Sequence, residues 1–187
     1  MFTSLTVTDL IGARKVKRRF DAVLTLQDPK LKRGELLRFA KQPAPQHLRL
    51  RFDDIEADCA GAPQEAHVVE AFSFARVVSG ALLVHCHAGI SRSGARAFAL
   101  MAEALGPGRE EQALDELLAQ RPVIVPNGRV VKIADKVMGR DGALVAVYQH
   151  RLARNADWQK LKAQQCAYWV KKRPDLFPTH AVYEGMR

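Results

Sequence analysis

Alternating and continuous apolar stretches divide the chain into short strands and longer helices. Leu5-Thr6-Val7 and Phe20–Leu26 (FDAVLTL) are strand candidates, the second closed by Asp28-Pro29. Residues 30–41 carry a short helical pattern, and Pro43-Ala44-Pro45 breaks the chain behind it. His47–Phe52 (HLRLRF) alternates strictly, which predicts a strand with Leu48, Leu50 and Phe52 on one face. Asp53 and Asp54 follow directly, then a loop containing Gly61. Pro63 opens a helix that runs to about Ser79 and stops at Gly80, the favoured places for proline and glycine at helix ends. Ala81–Val84 (ALLV) is wholly apolar, as expected of a strand buried on both faces.

The second half reads as helix after helix. A segment from about Arg92 to Leu105 ends at Gly106-Pro107-Gly108, and Arg109–Arg121 is an acidic amphipathic helix. Pro122–Gly128 is a turn, Arg129–Met138 another helix, and Gly139 to Gly142 a break. The remainder is one or two basic helices carrying Trp158 and Trp169, more plausible as core or interface anchors than as substrate contacts. Strands mixed with helices on this scale predict an α/β fold with a central, mostly parallel sheet flanked by helices. We divide the chain into a main domain over 1–140 and a C-terminal helical extension over 141–187, packed on the same domain.

Composition sharpens this picture in three ways. The 187 residues are enough for one real core. No apolar run approaches the ~20 residues that span a bilayer, and the amino terminus lacks the basic-then-apolar order of a signal peptide. Cysteines at 59, 86 and 166 form neither a disulfide framework nor a CxxC knuckle, so a reducing, cytoplasmic setting is expected. The net charge of +9 favours anionic partners. The basic runs Arg14–Arg19 and Lys171–Arg173 lack interleaved aromatics, so they read as solvated surface and no nucleic-acid partner is expected.

The chemistry concentrates in His85–Ser93, HCHAGISRS, which sits between the apolar strand and the next helix. Backbone N–H groups delivered to a helix amino terminus bind anions, because those donors lack intrahelical partners and the dipole favours negative charge. Gly89 permits unusual backbone angles there, and Arg92 supplies a planar fork for two oxygens of a phosphate. The same groups stabilise a thiolate at Cys86, placing a nucleophile against a bound phosphorus. A zinc site from His85, Cys86 and His87 is disfavoured, since adjacent strand residues face opposite ways and no second ligand cluster stands out. A protease-type Cys/His pair leaves Gly89 and Arg92 without a purpose. An inert buried cysteine leaves Arg92 unexplained.

The stretch resembles the Cys-x5-Arg signature of the protein tyrosine phosphatase superfamily, in the HCxAGxSRS form of small dual-specificity phosphatases and compact bacterial relatives. The likeness runs from about Leu5 to Met138. It implies a cofactor-free phosphomonoester hydrolase that forms a phosphocysteine on Cys86. The phosphate would lie in the loop His87, Ala88, Gly89, Ile90, Ser91 and Arg92. Ser93 would assist the departing thiolate. His85 and Asn127, the latter in a Pro-Asn pair behind the helices, would brace the loop. The general acid implied is an aspartate on a loop about thirty residues upstream. Asp54 is thirty-two residues before Cys86, and Asp53 stays open beside it. The expected partner is a phosphorylated protein, by default on tyrosine, or a small phosphate ester. Inositol, lipid and nucleotide phosphates, or a non-catalytic phosphate-binding module, are the rivals. Cys59, near the acid, is a loop cysteine or a resolving partner for oxidised Cys86.

Overall fold

Four parallel strands lie side by side in the order β1-β4-β2-β3: β1 (Ser4–Thr8), β2 (Ala22–Gln27), β3 (Gln46–Arg51) and β4 (Ala81–His85). The structure is a computed structural model that describes residues 2–176, so 177–187 of the predicted extension lie outside the described residues. Among the described residues seven helices accompany the sheet: α1 (Leu10–Val16), α2 (Glu65–Val77), α3 (Arg92–Leu105), α4 (Glu110–Gln120), α5 (Gly128–Met138), α6 (Ala143–Arg154) and α7 (Ala156–Lys172).

Strand alternation assigns the two faces. Leu24, Leu26, Leu82 and Val84 enter the large core under α2 to α6, whereas Val23 and Leu83 meet α1 and Leu37 on the other side. The predicted face of β3 appears here too, with Leu50 and Phe52 buried in the large core and Leu48 packed against it. The central helix α3 is buried at every residue from Arg92 to Ala102. Its small residues admit neighbours closely: a Cβ on Gly94 would come within 2.6 Å of Ile124.

Two expectations need correction. Residues 30–41 form no α-helix, only a 3-10 turn over Arg33–Glu35. Side chains from the α1 end take the carbonyls that a helix would have used. Arg14 donates to Gly34 O at 2.7 Å, Lys17 to Arg38 O, and Arg18 to Lys41 O and Pro43 O at 2.7 and 3.1 Å. The basic run at 14–19 is therefore not just solvated surface, because half of it staples the long β2–β3 loop over the sheet.

The C-terminal helices join the same body. Leu144 and Tyr148 of α6 and Trp158 of α7 are buried in the main core. Asp135 of α5 explains the docking of α6: its carboxylate accepts from the N–H groups of Gly142, Leu144 and Val145 at 2.7, 2.8 and 3.3 Å. That caps the helix start from a neighbouring element, where helix N–H groups would otherwise go unpaired.

Candidate active site

In a parallel sheet the loops at the strand carboxyl ends face one side, and that side is where ligands bind in open α/β folds. Here Asp9 follows β1, Asp28 follows β2, Asp53 and Asp54 lie just beyond β3, and Cys86 follows β4. Residues far apart in the chain converge because all four strands run the same way.

The loop after β4 curls around the Cys86 thiol, which is 3 % exposed. Its Sγ lies 3.2 Å from Ser93 Oγ and accepts the Gly89 N–H at 3.2 Å. Gly89 is required twice over. Its φ is +68°, and a Cβ there would sit 2.6 Å from Asp9 N and from the Thr8 carbonyl carbon. The side chain of Ser91, at the N-cap of α3, caps no helix N–H but donates to Asp54 at 2.8 Å, so the helix mouth keeps its donors for another acceptor.

Arg121, just past α4, fixes the loop from outside. Its Nε donates to Gly89 O at 2.8 Å and its Nη2 to Ala88 O at 3.3 Å, with Asp9 Oδ2 3.7 Å away. In a trans peptide the N–H points opposite the C=O, so outward-held carbonyls turn the Gly89 and Ile90 N–H groups inward. Nothing in the sequence marked Arg121, whose local setting is an ordinary helix end. Arg121→Met should weaken binding of inorganic phosphate roughly tenfold or more, the scale of losing hydrogen bonds from a charged donor. Competitive inhibition by phosphate measures it.

Arg92 is 4 % exposed and heavily engaged. Nη1 donates to Phe52 O at 2.9 Å, and Nη1 and Nη2 fork onto Asp28 Oδ1 and Oδ2 at 3.1 and 3.3 Å. Nε is buried, 3.9 Å from Asp54 Oδ2, and has no hydrogen-bond partner among the described residues. Burial works against the charge, yet the carboxylate of Asp54, then Cys86 and Asp28, hold its pKa above the ordinary value. Asp28 went unnoticed in the sequence, where it marks only the end of a strand.

Asp54 is bound into the site and Asp53 is not. Asp54 Oδ1 accepts from Ser91 Oγ and from Asn127 Nδ2, both at 2.8 Å. Asn127, fully buried, also caps α5 through the Val130 N–H at 3.0 Å and gives its own N–H to Ser91 O at 3.2 Å. One side chain thus links α5, the loop after β4 and Asp54. Asp53 gives its N–H to Gly61 O at 2.7 Å and turns its carboxylate toward Gly61.

His85 is 1 % exposed and lies behind the loop, in a chain of three side chains. Its Nδ1 is 3.2 Å from Cys86 O, which can only accept, so the ring proton is there and Nε2 accepts from the Thr25 hydroxyl at 2.8 Å. Thr25 Oγ1 in turn accepts from His47 Nε2 at 2.8 Å, leaving His47 Nδ1 bare and without a partner among the described residues. Burial foremost pushes His85 down to about 4 and His47 to about 3. An unfolded histidine titrates near 6.5, so stability from these neutral rings is present above that pH and is lost as pH falls toward the folded values. His85 alone should cost about 2 kcal/mol between pH 7 and 5. Urea unfolding at both pH values, with His85→Asn losing about that much less across the interval, tests it.

His87 is exposed and, with Asp9, Ile11, Arg14, Glu35 and Ala88, lines an open groove of about 460 Å³ beside the loop. A second cavity of about 230 Å³ lies between Asp28, Asp54 and the α7 residues Gln165, Tyr168, Trp169 and Lys172. All three cysteines are free, and Cys59 is half-buried beside Trp169. Among the described residues no helix is long and apolar enough to cross a membrane.

No family model matches the sequence, and no curated protein matches it. Solved structures do. The human tyrosine phosphatase-like serine/threonine/tyrosine-interacting protein is 19% identical, with a TM-score of 0.57 over 72% of this chain and 91% of that one. PTPMT1 in complex with PI(5)P is 18% identical, with a TM-score of 0.55 over 74% and 94%. Tk-PTP in its active form is 21% identical, with a TM-score of 0.52 over 73% and 90%. The parallel sheet with helices on both faces, the curled loop after β4 and these matches agree: the chain has the fold of the protein tyrosine phosphatase superfamily.

Proposed function

We propose that the protein is a cysteine-dependent phosphomonoester hydrolase acting on phosphotyrosine. The observation that carries this is the buried Cys86 thiol ringed by the Gly89 N–H and Ser93, with a free Arg92 Nε facing Asp54 across the loop. In the first step Cys86 Sγ bonds to phosphorus while the bond to the leaving oxygen breaks. Asp54 gives its proton to that oxygen. Loop N–H groups and Arg92 hold the equatorial oxygens as charge spreads over them. In the second step water attacks phosphorus, Asp54 takes its proton, and the sulfur–phosphorus bond breaks. Ser93 donates to the departing thiolate, and inorganic phosphate leaves.

The cavity between Asp28, Asp54 and α7 favours an aryl ester. Its wall includes Tyr168, which is 53 % exposed and offers a ring face beside the proposed acid. A phosphoinositide is the second reading, favoured by the +9 charge and by the likeness to PTPMT1, solved with PI(5)P. A panel of phosphotyrosyl, phosphoseryl and phosphothreonyl peptides, phosphoinositides and nucleotides, with vanadate as inhibitor, tests both. Turnover is expected on phosphotyrosyl peptides. Turnover confined to non-protein phosphates overturns the substrate assignment, and oxyanion binding with no turnover overturns the hydrolase.

A further inference from the structure

The α7 helix grips the loop that carries Asp54, and it does so from more than one hundred residues away. Trp169 Nε1 and Gln165 Nε2, one turn apart on the same helix face, both donate to the Asp54 carbonyl oxygen, at 2.7 and 3.0 Å. Lys162, on the same face, donates to Glu56 and to Pro126 O. Trp169 is also the largest member of a small apolar cluster with Ile55 and Ala62, and Ala57 and Cys59 pack against it. This cluster belongs to the acid loop, yet its tryptophan comes from the C-terminal helix.

We propose that α7 is the positioning element of the acid: Trp169 and Gln165 fix the Asp54 peptide, and through it hold the carboxyl where a leaving group departs. The inference rests on the reading of Asp54 as general acid. A carbonyl held by two donors cannot rotate without losing both, so the peptide on the acid's own residue is locked. The Glu56 and Asn127 contacts tie the same loop to α5, through the Gly128 N–H on Glu56 at 2.7 Å and Asn127 on Asp54. The loop is therefore held from α5 and α7 at once. Displacement of a catalytic group by about 1 Å can cost a hundredfold in rate, which makes such a lock worth keeping.

The test uses a leaving-group series. Proton donation matters when the departing oxygen is basic, as in phenyl phosphate, and little when it is already stable as an anion, as in dinitrophenyl phosphate. Trp169→Phe keeps a ring in the cluster and removes the N–H, and Gln165→Met keeps bulk and removes the donor. The double variant should lose about tenfold or more in kcat/KM, which reports only the steps that form the phosphocysteine, on phenyl phosphate and less than about twofold on dinitrophenyl phosphate, with the limb of the pH–rate profile belonging to Asp54 weakened. Inorganic phosphate should inhibit it as it does the unaltered protein. The Gln165→Met single variant, which leaves the cluster untouched, should show the same selective loss, about threefold. Equal losses on both esters, or none on either, overturn the inference while leaving the hydrolase intact. An unaltered protein inactive on both esters overturns the functional reading and this inference together.

Discussion

Cys86→Ser reduces hydrolysis of aryl phosphates to background, a fall on the order of 10⁴-fold or more, while the protein still binds tungstate. Serine preserves the local geometry, since its hydroxyl can still accept from the Gly89 N–H and face Ser93, the two neighbours of Sγ at 3.2 Å. What it removes is the nucleophile. A hydroxyl is hardly ionised at neutral pH, and among the described residues no base touches Sγ to take a proton from it. Arg92 and the loop amides are unchanged, so the oxyanion cradle persists. Steady-state assays on p-nitrophenyl phosphate together with tungstate titration by calorimetry separate the two effects. Turnover within about tenfold of the unaltered protein sinks the assignment of Cys86 as nucleophile.

Asp54→Asn should lower kcat on phenyl phosphate by 10²–10⁴-fold and abolish one limb of the pH–rate profile, the usual contribution of a positioned acid. The amide oxygen of asparagine can still accept from Ser91 and Asn127, so the loop keeps its contacts and loses only the transferable proton. Asp53→Asn should change kcat by less than about threefold, because Asp53 faces Gly61. Parallel pH–rate profiles of the two variants decide between neighbours that spacing alone left open. A large loss at Asp53 with a small one at Asp54 reverses the assignment.

The structure also changes the standing of the C-terminal region. Read as a sequence, residues 141–187 matched nothing recognisable, and each structural match above leaves about a quarter of this chain uncovered. Yet Trp169, expected to be a core or interface anchor, donates to the main chain of Asp54. The same holds for Arg121 and Asp28, which lie thirty-five residues after and fifty-eight before Cys86. Neither sits in a distinctive local pattern. Their importance comes from what they touch.

What can be read along the chain is what depends on near neighbours. The apolar run of β4, the glycine that a φ of +68° demands, and a cysteine, arginine and serine within eight residues interact through a few successive peptides, so their order predicts their geometry. The identity of a strand and of a helix start is local in the same way. The missed turn at 30–41 shows where this ends, since its carbonyls are claimed by Arg14, Lys17 and Arg18 from another element and local helical propensity loses to them. The different contacts of Asp54 and Asp53, the clamp of Asp28 on Arg92, the brace of Arg121 and the grip of α7 all depend on contacts across the sheet's carboxyl edge. Parallel pairing in the order β1-β4-β2-β3 creates that edge, and hydrogen bonds between residues up to 115 positions apart complete it.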